Sequence, residues 1–278
     1  MSTDPQPRIV VIIPAAGAGT RYRQDDAHGA GGRSKLDEDL GGRPVLQRTV
    51  ELFNQHEWVV GIVVAGPWDQ AALAEFRDRH ADKLGMLGAK ICRGGQTHRY
   101  ETVASALREV PAEGAGAPTH IGVHDAARPC TPADLIERVF DAACRHDAVV
   151  PGVEVADTLK RAGDEADEPE EGDPLAAILG AAPKKQRPRV VRETIDRRDV
   201  MAIQTPQVFR ASLLRRAYAQ SDLASTDDAG LVERLGERVV IVPGDARNIK
   251  ITRGADLPLA RAILGVRGAE GREPHRRF

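Results

Sequence analysis

Ile9-Val10-Val11-Ile12-Ile13-Pro14-Ala15-Ala16-Gly17-Ala18-Gly19-Thr20-Arg21 is the stretch on which the fold turns. Five β-branched residues in succession make a strand, and the change to small residues after Pro14 marks its carboxyl end. Side chains this small let a ligand approach the main chain, where successive N–H groups can cradle phosphate oxygens. In a doubly wound sheet the binding crevice opens at this place, beyond the first strand.

Outward from that strand, apolar runs and helical patterns alternate. Residues 44–56 carry Val45, Leu46, Val50, Leu52 and Phe53 at helical spacing, 59–65 form a second strand and 70–84 a second helix. A short strand near Lys90 and Ile91 precedes a helix over 97–110. A strand at 121–123, a helix over 132–146 and a strand at 148–153 follow. The β-α-β-α order predicts an α/β fold, a Rossmann-like, mostly parallel sheet with helices on both faces.

Residues 154–200 break this rhythm. The acidic run 163–174 and the basic run 183–189 lack the apolar surface to offset chain entropy and read as solvated loop. Strand-like pieces at 157–161 and 190–194 flank them, so the region reads as a projecting β-arm with a charged insertion at 161–189. Regular order resumes with helices near 211–219 and 228–235, strands near 239–242 and 249–251, and a helix over 257–264. The expectation is one domain over 1–265, arm included, and a disordered tail at 266–278.

Composition narrows the function classes. There are 39 Lys+Arg against 41 Asp+Glu, a formal charge of -2, and aromatics are 4%. Neither figure supports bulk nucleic-acid binding or a base-stacking platform for single strands. Cys92, Cys130 and Cys144 show no CxxC and fit free thiols. The short apolar run near the start is too brief for a signal peptide or membrane span. A cytoplasmic protein without membrane or nucleic-acid partners is expected.

The loop after Pro14 is neither of two common phosphate loops. Gly17, Gly19 and Tyr22 fail G-x-G-x-x-G, and no G-K-[ST] follows. Arg21 and then Lys35 come instead. Cations flanking a main-chain cradle suit a triphosphate, whose charge needs several donors.

The pattern Ala15-Ala16-Gly17-x-Gly19-x-Arg21 followed by a lysine resembles the nucleotidyltransferases that activate sugars. Further blocks occur in order: His124-Asp125-Ala126-Ala127-Arg128-Pro129, Asp157-Thr158-Leu159-Lys160, Thr194-Ile195-Asp196-Arg197, Gln204-Thr205-Pro206-Gln207-Val208-Phe209, Thr226-Asp227-Asp228 and Asn248-Ile249-Lys250-Ile251-Thr252. Together, over about residues 8–265, they are similar to the 2-C-methyl-D-erythritol 4-phosphate cytidylyltransferase family of non-mevalonate isoprenoid synthesis. The resemblance implies a nucleotide-diphospho-sugar transferase-like fold and transfer of CMP from CTP to the sugar-alcohol phosphate, with Mg²⁺ on the triphosphate.

Residue by residue, the resemblance implies that Arg21 and Lys35 stabilise the transition state, while Lys250 and Arg197 position the sugar phosphate. The arm that carries Arg197 reaches, in the family, across a homodimer. Ala15, Ala16, Gly17, Ala18, Gly19, Ala126 and the turn Gly94-Gly95 with Thr102 would hold CTP. Asp125, Arg128, Thr158, Thr205 and Thr226 would face the sugar phosphate. Asp125 could bind sugar hydroxyls or Mg²⁺ through water. Asp227 reads as the N-cap of the following helix. The family pattern is departed from in the longer spacing between Arg21 and Lys35 and in one extra residue between Gly95 and Thr102. Two other readings share these residues: transfer to ribitol 5-phosphate, differing at Thr158, Arg197 and Thr205, and a non-catalytic nucleotide-binding or scaffold protein.

Overall fold

In the first strand, β1 (Ile9–Pro14), alternate side chains enter two different cores. Ile9, Val11 and Ile13 belong to one, Val10 and Ile12 to the other. A strand buried on both faces needs apolar residues at every position, as the sequence supplies. Each such side chain, fully buried, contributes roughly 1.5–3 kcal/mol. The structure, a computed structural model, describes residues 6–17, 22, 34–166 and 188–267. The expected tail beyond 267, most of the charged insertion, and Ala18, Gly19 and Arg21 lie outside the described residues.

Helices cover both faces. On one lie α1 (Val45–Glu51), α2 (Gln70–Met86), α4 (Ala133–Ala143) and α7 (Asp256–Leu264); on the other lie α3 (Arg99–Arg108), α5 (Ala211–Tyr218) and α6 (Ala229–Arg234). Among the other strands of this eight-stranded sheet are β2 (Val59–Gly66), β3 (Ala89–Arg93), β4 (His120–Val123), β5 (Ala148–Glu154), β9 (Gln207–Arg210) and β10 (Val240–Pro243). Their order is β10-β5-β9-β4-β1-β2-β3. Pairings β1–β2, β1–β4, β2–β3 and β5–β10 are parallel, while β9 runs antiparallel to β4 and β5. The mostly parallel α/β architecture is as the sequence predicts, and the antiparallel β9 is a strand it did not predict.

The chain leaves β1 toward β2 and β3 on one side, then returns to place β4 on the other. The gap between the carboxyl ends of β1 and β4 is therefore the topological switch point, where such sheets bind ligands.

The expected strand at 249–251 is not one. Alternating Ile249-Lys250-Ile251 imitates a half-buried strand, but its one ladder-like contact is Ile251 N–H donating to the Ala127 carbonyl. Buried Asn248 sets the path instead: its side-chain amide donates to the Thr205 carbonyl (2.8 Å) and its Oδ1 accepts from Thr131 (2.8 Å).

The chain divides into two compact units, one drawn from 1–153 and 203–278, the other Glu154–Ala202. Within the second, β6 (Leu159–Glu165) and β7 (Arg189–Ile195) form a two-stranded antiparallel sheet, and β8 (Met201–Ile203) begins at its end. Among its local ties are Lys160 donating to Thr194 (2.6 Å) and an Arg161–Glu193 ion pair.

Candidate active site

A cavity of about 420 Å³ opens at the switch point. Its floor is the end of β1 (Pro14, Ala15, Ala16, Gly17), and its walls include Lys35, Gly95, Thr102, Asp125, Ala126 and Lys250. The main chain turns off β1 where Ala15 N–H donates to the Ala65 carbonyl (2.8 Å).

Asp125 follows directly on β4, and its carboxylate organises the charges. Lys250 Nζ lies 2.9 Å from Oδ2, Arg128 Nε 3.2 Å from Oδ2, and Arg99 Nε 3.4 Å from Oδ1. Burial alone would raise the pKa of this carboxyl. The charges of Lys250, Arg99 and Arg128 outweigh burial and hold it well below the usual carboxylate range. Arg99 also pairs with Asp228, so three cations face two carboxylates, and a local excess of one positive charge remains.

Beneath it, a neutral scaffold fixes the acid. His124 is fully buried, and burial pushes its pKa down to about 4. Its Nε2 lies 3.2 Å from the Arg128 carbonyl and can only donate there, so Nδ1 accepts from the Thr205 hydroxyl (3.1 Å). The Thr205 oxygen in turn accepts Asp125 N–H (3.1 Å). Thr205 is thus buried with its hydroxyl engaged on both sides, and it places Asp125 rather than lining the cavity.

The two lysines arrive from distant segments. Lys35 Nζ donates to the Ile251 carbonyl (3.0 Å), which lies in the segment that carries Lys250. Arg128 donates to the Asn248 carbonyl (2.7 Å), and Gln204 holds the Asp245 carbonyl (2.8 Å), so that segment is tied at several points.

The Gly94-Gly95 turn is sterically obligatory. A Cβ on Gly94 would stand 2.3 Å from the Gly66 carbonyl oxygen, and one on Gly95 would stand 2.3 Å from the Glu101 Cβ. Gly95 N–H donates to buried Thr102 Oγ1 (3.1 Å), which fastens the turn to α3.

Arg99, the first residue of α3, was not among the residues singled out in the sequence. It lines the cavity and spans Asp125 and the fully buried Asp228 (2.7 Å), which also accepts from the Tyr218 hydroxyl. Burial opposes its charge, but Asp228 and then Asp125 outweigh this and raise its pKa further. The signal for it was a glycine turn followed by Glu101, a first-turn acid that fixes where the helix starts and so aims the residue at the strand ends.

Of the other expected residues of the first unit, Gly94 and Arg128 are not among those lining the cavity. Thr226 is exposed and is not among the residues lining the cavity, whereas Asp227 accepts from Gly230 N–H (3.0 Å) as a helix-start acceptor. Thr158 and Arg197 are exposed residues of the second unit, where Arg197 donates to the Val155 and Ala156 carbonyls.

A doubly wound sheet whose first-strand turn and cation surplus share one cavity defines the nucleotidyltransferase class. A family model described as 2-C-methyl-D-erythritol 4-phosphate cytidylyltransferase matches residues 9–171 and 165–266, and the chain belongs to that family. A 2-C-methyl-D-erythritol 4-phosphate cytidylyltransferase of Frankia casuarinae is 40% identical over 259 residues, covering 93% of this chain and 82% of that one. One of Rhodococcus jostii is 37% identical, covering 92% and 95%. Among solved structures, the Thermus thermophilus enzyme of that name is 29% identical with a TM-score of 0.63, covering 93% of this chain and 100% of its own. A 4-diphosphocytidyl-2C-methyl-D-erythritol synthase is also 29% identical, with a TM-score of 0.67, covering 94% and 100%.

Proposed function

We propose that this chain transfers CMP from CTP to 2-C-methyl-D-erythritol 4-phosphate, releasing pyrophosphate and giving 4-diphosphocytidyl-2-C-methyl-D-erythritol. The single observation that carries the reading is that Lys250, Arg99 and Asp125 line one cavity with Lys35 and the turn after β1, while Arg128 braces Asp125 outside the lining. Family membership points the same way and does not favour ribitol 5-phosphate or a non-catalytic role.

In this reaction a phosphate oxygen of the sugar-alcohol phosphate forms a bond to the α-phosphorus of CTP. The bond from that phosphorus to the bridging oxygen breaks, and pyrophosphate leaves with the electron pair. The nucleophile is already an anion, so no strong base is required. What the protein supplies is alignment and neutralisation of charge. Lys35 and, from the turn after β1, Arg21 serve the triphosphate and transition state. Lys250 guides the incoming phosphate, and Asp125 holds Lys250 until an anion competes for it.

Among the described residues no three His, Cys, Asp or Glu side chains gather to cage a metal, and both Asp125 oxygens face cations. These residues do not fit a protein-held Mg²⁺. A divalent cation would take its ligands chiefly from the phosphates of CTP.

Pairing of two copies through the β6–β7 arm, with Arg197 reaching a neighbour's site, belongs to the same proposal. Val190 and Val191, each 56% exposed on β7, support it by giving each face of the two-stranded sheet an apolar side chain that a partner could cover. A cytoplasmic setting is also part of the proposal, supported by Cys92, Cys130 and Cys144 all being free. No helix among the described residues is long and apolar enough to cross a membrane.

The test is pyrophosphate release with CTP and the other nucleoside triphosphates, each against methylerythritol phosphate and ribitol 5-phosphate, with and without Mg²⁺. Turnover should require CTP and methylerythritol phosphate together. Turnover only with ribitol 5-phosphate, or with no pair, would overturn the reading.

A further inference from the structure

The rim of the cavity between Gly95 and Arg99 holds Gln96, Thr97 and His98, all exposed. His98 lines the cavity, and its ring is stacked on Tyr100, with centroids 5.0 Å apart and planes 15° from parallel. Tyr100 is not part of the lining, so the phenol ring backs the imidazole while the imidazole borders the open space. The main chain beneath is fixed: Glu101 accepts N–H from Thr97 (2.8 Å) and from His98 (3.2 Å).

Those two N–H groups open α3, where a helix would otherwise offer donors to a phosphate. Here a side-chain carboxylate takes them, and the same bonds lower the Glu101 pKa, so it stays ionised at neutral pH. An anion beside Thr97 and His98 would meet the fixed negative charge of Glu101 instead of those two donors. A flat uncharged group would meet a ring held in place by a second ring.

We infer that His98, backed by Tyr100, is a nucleoside-binding residue that stacks against the pyrimidine of the bound nucleotide. The inference rests on the cytidylyl-transfer reading and adds to it a side-chain contact beside the Gly94-Gly95 turn.

Calorimetric titration of the full chain with CTP, CMP and inorganic pyrophosphate, each separately, tests it. His98→Ala should weaken CTP and CMP by about tenfold alike, the loss of one base-stacking contact, and leave pyrophosphate unchanged. His98→Phe keeps a ring on Tyr100 and should stay within about threefold of wild type. Tyr100→Leu should fall between, since the imidazole loses its support. An unchanged CTP affinity in His98→Ala would overturn the inference. So would His98→Phe binding as weakly as His98→Ala, or a loss that falls on pyrophosphate. Wild-type protein that binds pyrophosphate but neither CTP nor CMP would instead strike the transfer reading, and this inference with it.

Discussion

The two ends of β4 carry the same kinds of residue and use them differently. At its start, His120 is buried with its pKa pushed down to about 4, chiefly by burial, beside a single exposed pair, Arg210–Asp147. Just past its end, His124 is buried with its pKa at about 4 for the same reason, beside Asp125 and three cations. Charge balances one to one at the first end and is in surplus at the second. A balanced surface pair needs nothing more. A surplus gathered around one buried acid, in a cavity, is arranged for an anion that is yet to arrive.

If the surplus is functional, removing a cation from it should be felt in rate. Lys35→Ala is expected to lower kcat by at least ~100-fold with an unchanged circular dichroism spectrum. A near-normal rate would remove Lys35 from the mechanism.

Next in size is the scaffold behind the surplus. Asp228→Asn leaves Arg99 without its buried partner, and unfolding in urea should show a loss on the order of 3 kcal/mol. A loss under about 1 kcal/mol would mean that Arg99 finds its partner elsewhere, in Asp125.

The two buried imidazoles sharpen the comparison through pH. Each takes up a proton near pH 6.5 in the unfolded chain but only near pH 4 when folded. The unfolded state therefore binds more protons between these values, and stability should rise with pH across that window and fall on acidification through it. Stability that stays flat from pH 6.5 down to 4 would contradict both burials. Asp125 works lower: its depressed pKa keeps its contribution intact above the unfolded carboxyl value, so it should put no acid limb on activity above pH 5.

The smallest effect belongs to the balanced end. Arg210→Ala should change stability by about 0–1 kcal/mol, as exposed pairs do, and leave turnover alone. A loss of turnover here would erase the distinction between the two ends.

The sheet was legible because β1, β2 and β5 are apolar almost throughout, which parallel burial demands. β9 was not: Gln207-Val208-Phe209-Arg210 is short and half polar, and it is a strand only because β4 and β5 accept it between them. The misread at 249–251 has the opposite cause, a local alternation with no sheet edge to join. At the site, Lys35, Asp125 and Lys250 were singled out from motifs, and all three line one cavity. Glu101 could have placed Arg99 at a helix start, but not its pairing with Asp228, 129 residues further along the chain. Thr205 was legible as a position but not as a role, since its hydroxyl is spent on His124 and Asp125.

Lys250 tests the account most directly, because it is the cation nearest Asp125 and is itself 39% exposed, within reach of an incoming phosphate. The measurement is pyrophosphate release at saturating CTP and methylerythritol phosphate by Lys250→Met, run beside Arg210→Ala. The expected result is a loss of about 100-fold or more in the first and none in the second. Equal rates in the two variants would contradict the claim that surplus charge past the end of β4 drives the chemistry.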